Sequence, residues 1–196
     1  RKLLDHKSSH SSIVSSIKAT IYERSQETEA HAKRMTFFAK KIGERFNFSS
    51  VEMDNMEIFA ALHDLGKIGI DGSILNKPDK LSEEEWIEMK KHPEIGYRIA
   101  MASPELASIA EFILTHHERW DGTGYPLGLK GSEIPRHSRI LAVVDAYDAM
   151  TVDRVYRKAL NKEEAMNELI ANKGTQFDPQ IVDVFIEILD AHEENL

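Results

Sequence analysis

Apolar residues return every three or four positions through most of this chain, a rhythm that leaves room for little besides helices. Met35, Phe38, Ala39, Ile42 and Phe46 form one such stripe. Leu106, Ile109, Ala110 and Ile113 form a second, and Ile181, Val184, Phe185 and Ile188 a third. Helix starts are written between them. Ser49 with Glu52 and Ser82 with Glu85 have capping-box spacing, while Ser103-Pro104 and Asp178-Pro179 pair an N-cap with proline at the first helical position. No stretch alternates as a half-buried strand does. The short apolar run Ile140 to Val144 is read as helix because its pattern continues through Met150. The expected fold is all-α, a compact helical bundle. Ile13, Val14, Ile17 and Ile21 put a further helix over Ser8 to Arg24. It is read as an entering or linker segment (1–24) ahead of a domain at 25–196.

Two stretches interrupt the helices, Gly66 to Lys80 and Arg119 to His137, and both read as loops. The second carries Asp121-Gly122, Gly124, Pro126, Gly128, Gly131 and Pro135. Each follows a helix end rich in histidine and acid, and loops on a rigid scaffold are where binding groups gather. The chain of 196 residues suffices for one large domain. Its net charge of -8 argues against duplex nucleic acid as a partner, since neutralising phosphates needs a basic face. No apolar run approaches the ~20 residues of a membrane span, and Arg1 to His10 has no signal-peptide core, so a cytoplasmic location is expected. A start at arginine reads as a piece of a longer protein with an upstream sensor. Nine histidines and no cysteine mean that any transition metal must be held by imidazole and carboxylate.

Glu27 and His31 are four apart and share a helix face with Met35. His63-Asp64 ends the next periodic segment, after Met56, Phe59 and Ala60. His92 precedes Pro93, which biases it toward extended backbone between two helices. His116-His117 closes the stripe of Ile109, Ala110 and Ile113, and Asp145 lies one turn from Leu141 and Asp148. Taken singly, each has an ordinary reading: a histidine on an apolar face is more often a satisfied core residue, and a buried aspartate can accept backbone hydrogen bonds. Taken together they do not, because ionised carboxylates projecting toward one core need a partner. A metal cluster supplies it. Imidazole and carboxylate suit iron, manganese, zinc or nickel rather than calcium or magnesium. With ions a few Å apart, a carboxylate such as Asp64 could bridge them, and a shared water would become a nucleophile near neutral pH. There is no thiol, no Gly-x-Ser-x-Gly elbow, and Gly66-Lys67 lacks the rest of a P-loop.

The strings themselves are Glu27-Thr28 with His31, HDLGKIGI from His63, KKHPEIG around His92 and HHERWDGTGYP from His116. RILAVVDAYDAMTVDRVYR from Arg139 and GTQFDPQIVDVF from Gly174 follow. In this order, over roughly Ser25 to Ile188, the chain resembles the HD-GYP domain family. The resemblance implies a bundle of the HD superfamily that hydrolyses cyclic di-GMP, a bacterial second messenger, to pGpG or on to GMP. It implies that His31, His63, Asp64, His92, His116, His117 and Asp145 ligate divalent ions, with Asp64 bridging. Glu27 would add a third ion to the two. Iron or manganese is expected first, zinc or nickel next. Asp64 and Lys67 would be the catalytic pair, Lys67 meeting a substrate phosphate; Tyr125, Asp148, Arg154 and Arg157 would complete the substrate contacts. Gly124, Tyr125 and Pro126, the naming triplet, would shape the site and meet partner signalling domains. A homodimer through the N-terminal helix is a further expectation. Glu29 stands where the family often has glycine, and no ligand position is replaced. Against an active phosphodiesterase stand a sensing module for the same nucleotide and a phosphohydrolase for another cyclic dinucleotide. Intact ligands favour the enzyme.

Overall fold

A computed structural model describes residues 16–17, 19–20, 28–153 and 158–193. Glu27, Arg154, Arg157 and most of the 1–24 segment therefore lie outside the described residues. Within them the chain is helical, with short 3-10 turns and no strand beyond an isolated bridge between Lys173 and Phe177. No helix there is long and apolar enough to cross a membrane.

Helix α1 (Glu29–Arg45) starts where the Thr28 side chain accepts a hydrogen bond from the His31 amide, 3.1 Å. Helix α2 (Ser50–Leu62) starts at the expected Ser49/Glu52 capping box, and α4 (Glu83–Met89) at Ser82/Glu85. A 3-10 turn (Leu65–Gly69) and the one-turn helix α3 (Gly72–Leu75) occupy what the sequence reads as a loop, with Asp71 capping α3 through the Ser73 amide. Helix α5 (His92–Met101) corrects a second expectation. His92 is its first residue and not an extended junction, because Pro93 falls in the first turn, where an amide proton has no helical acceptor to lose. Ser103-Pro104 likewise starts no α-helix. Ser103 accepts from the amides of Leu106 and Ala107, a turn forms, and a 3-10 segment (Ala107–Ile109) leads into α6 (Ala110–Thr115).

Helix α7 (Arg136–Thr151) runs through the middle, with Ile140, Leu141, Val143 and Val144 at most 1% exposed, so the apolar run is helix as read. Helices α8 (Lys162–Ala171) and α9 (Pro179–Glu193) complete the bundle. The expected stripes face one core: Met35, Ala39 and Ile42 meet Ile109, Ile113, Ile181 and Phe185 there. Phe38, Tyr147 and Phe185 pack edge to face with centroids 5.2–5.9 Å apart, tying α1, α7 and α9 together. This fixes α1 against α7, and both carry candidate site residues.

Candidate metal centre

The chain leaves α2 through His63 and Asp64 into the 3-10 turn, and two glycines decide where that turn lies. A Cβ on Gly66 would sit 1.8 Å from the His92 carbonyl oxygen and 2.5 Å from the Gly96 nitrogen. On Gly96 it would sit 2.7 Å from the Ile113 side chain. Only bare backbone lets the turn rest on the start of α5 and α5 rest on α6. That approach brings Asp64 Oδ1 within 3.3 Å of His92 Nε2 and 3.8 Å of His116 Nε2, while Oδ2 lies 3.3 Å from His63 Nε2.

The predicted ligands converge in two groups. Donor atoms of Asp64, His92, His116 and His117 all lie within 4.8 Å of one another, as do those of His31, His63 and Asp145. Asp64 turns one oxygen toward each group, the disposition a bridging carboxylate needs. All seven described ligand candidates are therefore at the centre; Glu27 is outside the described residues.

The imidazoles are held with their inner nitrogens as acceptors. Nδ1 of His63 donates to the Ala60 carbonyl at 3.0 Å, that of His92 to Met89 at 2.7 Å and that of His116 to Ile113 at 2.6 Å. His31 Nδ1 donates to Asp148 Oδ2 at 2.7 Å. With the proton on Nδ1, the Nε2 lone pairs of His92 and His116 face each other at 3.4 Å, and His117 Nε2 lies 3.1 Å from that of His92. Lone pairs so placed repel, and a cation among them reverses the sign. The donor set thus fits divalent metal ions. The electrostatics agree. Burial, with His116 and His92 adding to it, pushes His117 well down from its ordinary value, and burial pushes His116 down against the opposing pull of the Asp64 carboxylate. Burial works against the Asp64 charge, but the Lys67 ammonium, 2.6 Å from Oδ2, and then His63 hold its carboxyl well below the usual range. Neutral imidazoles beside an ionised carboxylate are the protonation states metal binding requires.

Beyond the ligand candidates, the glycine-rich loop packs on His117. Tyr125 stacks on His117 with centroids 5.0 Å apart, and its amide donates to the His117 carbonyl at 3.3 Å. Burial first, and then the charge of Asp64, push the Tyr125 phenol up to about 12, so at neutral pH it donates hydrogen bonds and does not act as a base. Gly124 is obligatory here, since a Cβ would lie 2.3 Å from the Arg119 nitrogen. Asp148, expected among the substrate contacts, is 6% exposed with both oxygens engaged: Oδ2 by His31 and by Arg34 Nη2 at 3.0 Å, Oδ1 by Arg34 Nε. Burial works against its charge, yet hydrogen bonds from His31 and Arg34 bring its carboxyl down to about 2. Its carboxylate is turned to His31 and Arg34, both on α1.

Two residues went unnoticed in the sequence. Arg34 holds Asp148. Glu118, 4% exposed, accepts hydrogen bonds from the amides of Leu127, Gly128 and Leu129 at 2.7, 3.1 and 3.1 Å and so folds the loop around itself. Its signal was an acid directly behind two histidine ligand candidates and ahead of a glycine-rich stretch.

Residues 11–181 match the HD domain family. The chain belongs to the HD-domain family. Its HDLGK and HHERWDGTGYP strings make it an HD-GYP domain within that family. This HD-GYP domain is 43% identical over 167 residues to the cyclic di-GMP phosphodiesterase of Thermotoga maritima, a match covering 84% of this chain and 45% of that protein. It is 36% identical over 190 residues to 3'3'-cGAMP-specific phosphodiesterase 2 of Vibrio cholerae, covering 96% of this chain and 36% of the relative. The chain thus spans less than half the length of either. It superposes on the crystal structure of a cyclic GMP-AMP specific phosphodiesterase of V. cholerae with a TM-score of 0.64 and 22% identity. That match covers 91% of this chain and 48% of the other, and speaks to the all-α HD fold alone.

Proposed function

We propose that this HD-GYP domain is a metal-dependent phosphodiesterase of a cyclic dinucleotide, cyclic di-GMP foremost, yielding pGpG or GMP. The observation that carries the reading is the pair of donor groups with one Asp64 oxygen turned toward each. Asp64, His92, His116 and His117 would hold one divalent ion, and His31, His63 and Asp145, with Asp64, the other; iron or manganese suits both. When bound, such ions supply Lewis acidity toward a phosphate oxygen and acidify water to a nucleophile. The chain's own residues do the rest. Histidines fixed at Nδ1 keep their aim, and the buried carboxylate of Asp64 stays ionised beside Lys67. Lys67, with a side chain 21% exposed, reaches from Asp64 to a phosphate oxygen and offsets charge there. Tyr125 donates a hydrogen bond from the loop side. Arg154 and Arg157 are proposed to fork onto phosphate or guanine.

Intact ligands favour turnover over a sensing role. A second reading, cyclic GMP-AMP as substrate, is favoured by the V. cholerae relative whose match spans 96% of this chain. Product chromatography after anaerobic purification, with cyclic di-GMP and 3'3'-cyclic GMP-AMP side by side, separates the two. Asp64→Ala is expected to abolish hydrolysis of either and to lose metal while far-UV circular dichroism stays helical. Unchanged turnover in that variant would defeat the assignment.

A further inference from the structure

The imidazoles at the centre are not supported alike. His63, His92 and His116 lean on main-chain carbonyls of the turn that precedes them, which the helices hold rigidly. His31 leans on a side chain, Asp148 of α7, 117 residues away. Asp148 could rotate about its own bonds were it not gripped from the other side by Arg34, through Nη2 on Oδ2 at 3.0 Å and Nε on Oδ1. Arg34 and His31 both stand on α1, three residues apart, so one helix grasps one carboxylate of α7 with two side chains. A fork of this kind fixes the plane of the carboxylate, and the carboxylate then fixes the plane of the imidazole.

The two donor groups share the end of α2, which gives Asp64 to one and His63 to the other, and otherwise draw on different elements. Asp64, His92, His116 and His117 come from the end of α2, from α5 and from the end of α6. His31 and Asp145 come from α1 and α7, the helices that the Arg34–Asp148 pair joins. Arg34 keeps 39% of its side chain exposed, so replacing it opens no core cavity.

We infer that Arg34 is a positioning residue which, through Asp148, governs loading of the His31–His63–Asp145 position and leaves the Asp64–His92–His116–His117 position alone. This rests on the metal-centre reading above. The test is titration of the chelator-stripped chain with Mn²⁺ alone, counting bound ions by the loss of the free-ion electron paramagnetic resonance signal. Arg34→Met is expected to weaken one equivalent by about tenfold to hundredfold and leave the tighter binding of the native chain in place. Asp148→Asn should weaken the same equivalent, and Arg34→Lys, with one donor in place of the fork, should fall between. A native chain that takes up no divalent ion defeats the metal-centre reading itself. If the native chain binds but the Arg34→Met titration superimposes on it, or loses every equivalent while the helical signal is kept, the inference about Arg34 fails. Should Arg34→Met lose its helical signal, the Asp148→Asn titration decides by the same criteria.

Discussion

Glu118 shows how a single buried charge can organise a loop it does not belong to. Its oxygens take three amide protons from Leu127 to Leu129, and the loop so folded places Tyr125 on His117. Glu118→Ala strips the acceptors from three partly buried amides, at a cost of about 1–3 kcal/mol. We predict a raised KM for the dinucleotide with metal content unchanged, checked by steady-state kinetics beside elemental analysis; loss of metal instead would show that the residue supports the ligands directly. The seven described ligand candidates were legible because metal chemistry admits few side-chain types, and an unusual number of them stood at helix ends. Arg34 and Glu118 were not legible. An arginine three places after a histidine looks like a solvated helix face, and nothing in spacing reveals a partner 114 residues away. Spacing likewise does not reveal that Asp148, expected among the substrate contacts, has His31 and Arg34 of α1 as partners.

Among the packed elements, Gly66 sets where the turn after α2 meets α5. It admits the 3-10 turn to the start of α5, and Asp64 reaches His92 only because of that approach. Gly66→Ala sets a methyl 1.8 Å from a backbone oxygen, a clash that no side-chain rotation relieves. Overpacking of this kind destabilises by about 1–3 kcal/mol. We predict that loss in urea melts together with weakened uptake of a divalent ion at the proposed Asp64–His92 position. A variant as stable and as metal-replete as the native chain would show that the glycine contact does not set the site. Helix starts were legible where a side chain closes a capping box, as at Ser49 and Ser82, or where Asp178 accepts from the Gln180 amide at 2.9 Å. The signal misled where proline was involved without such a bond. At Ser103-Pro104 the backbone made a turn instead, and at His92-Pro93 tertiary packing on Gly66 and Gly96 accompanies a helical His92 despite the local bias.

For the molecule as a whole, the buried histidines link folding to pH. Burial pushes His116, His117 and also His137, which stacks on Phe112 with centroids 4.2 Å apart, below the ordinary imidazole value. The unfolded chain takes up protons at these positions as pH falls through about 6.5, while the folded chain resists until its lower values are reached. Stability of the metal-free protein should therefore be full above that pH and decline below it. Urea midpoints at pH 7.5, 6.5 and 5.5 in chelator test this, and a midpoint that does not move would contradict it. Every such histidine except His137 is a ligand candidate, so fold stability and metal affinity should weaken together in acid. Whether two ions settle where these donors converge is decided by anomalous diffraction from crystals loaded with manganese. One peak is expected bounded by Asp64, His92, His116 and His117 and a second bounded by His31, His63 and Asp145, with the Asp64 carboxylate between them. Peaks elsewhere, or none after loading, would contradict this arrangement.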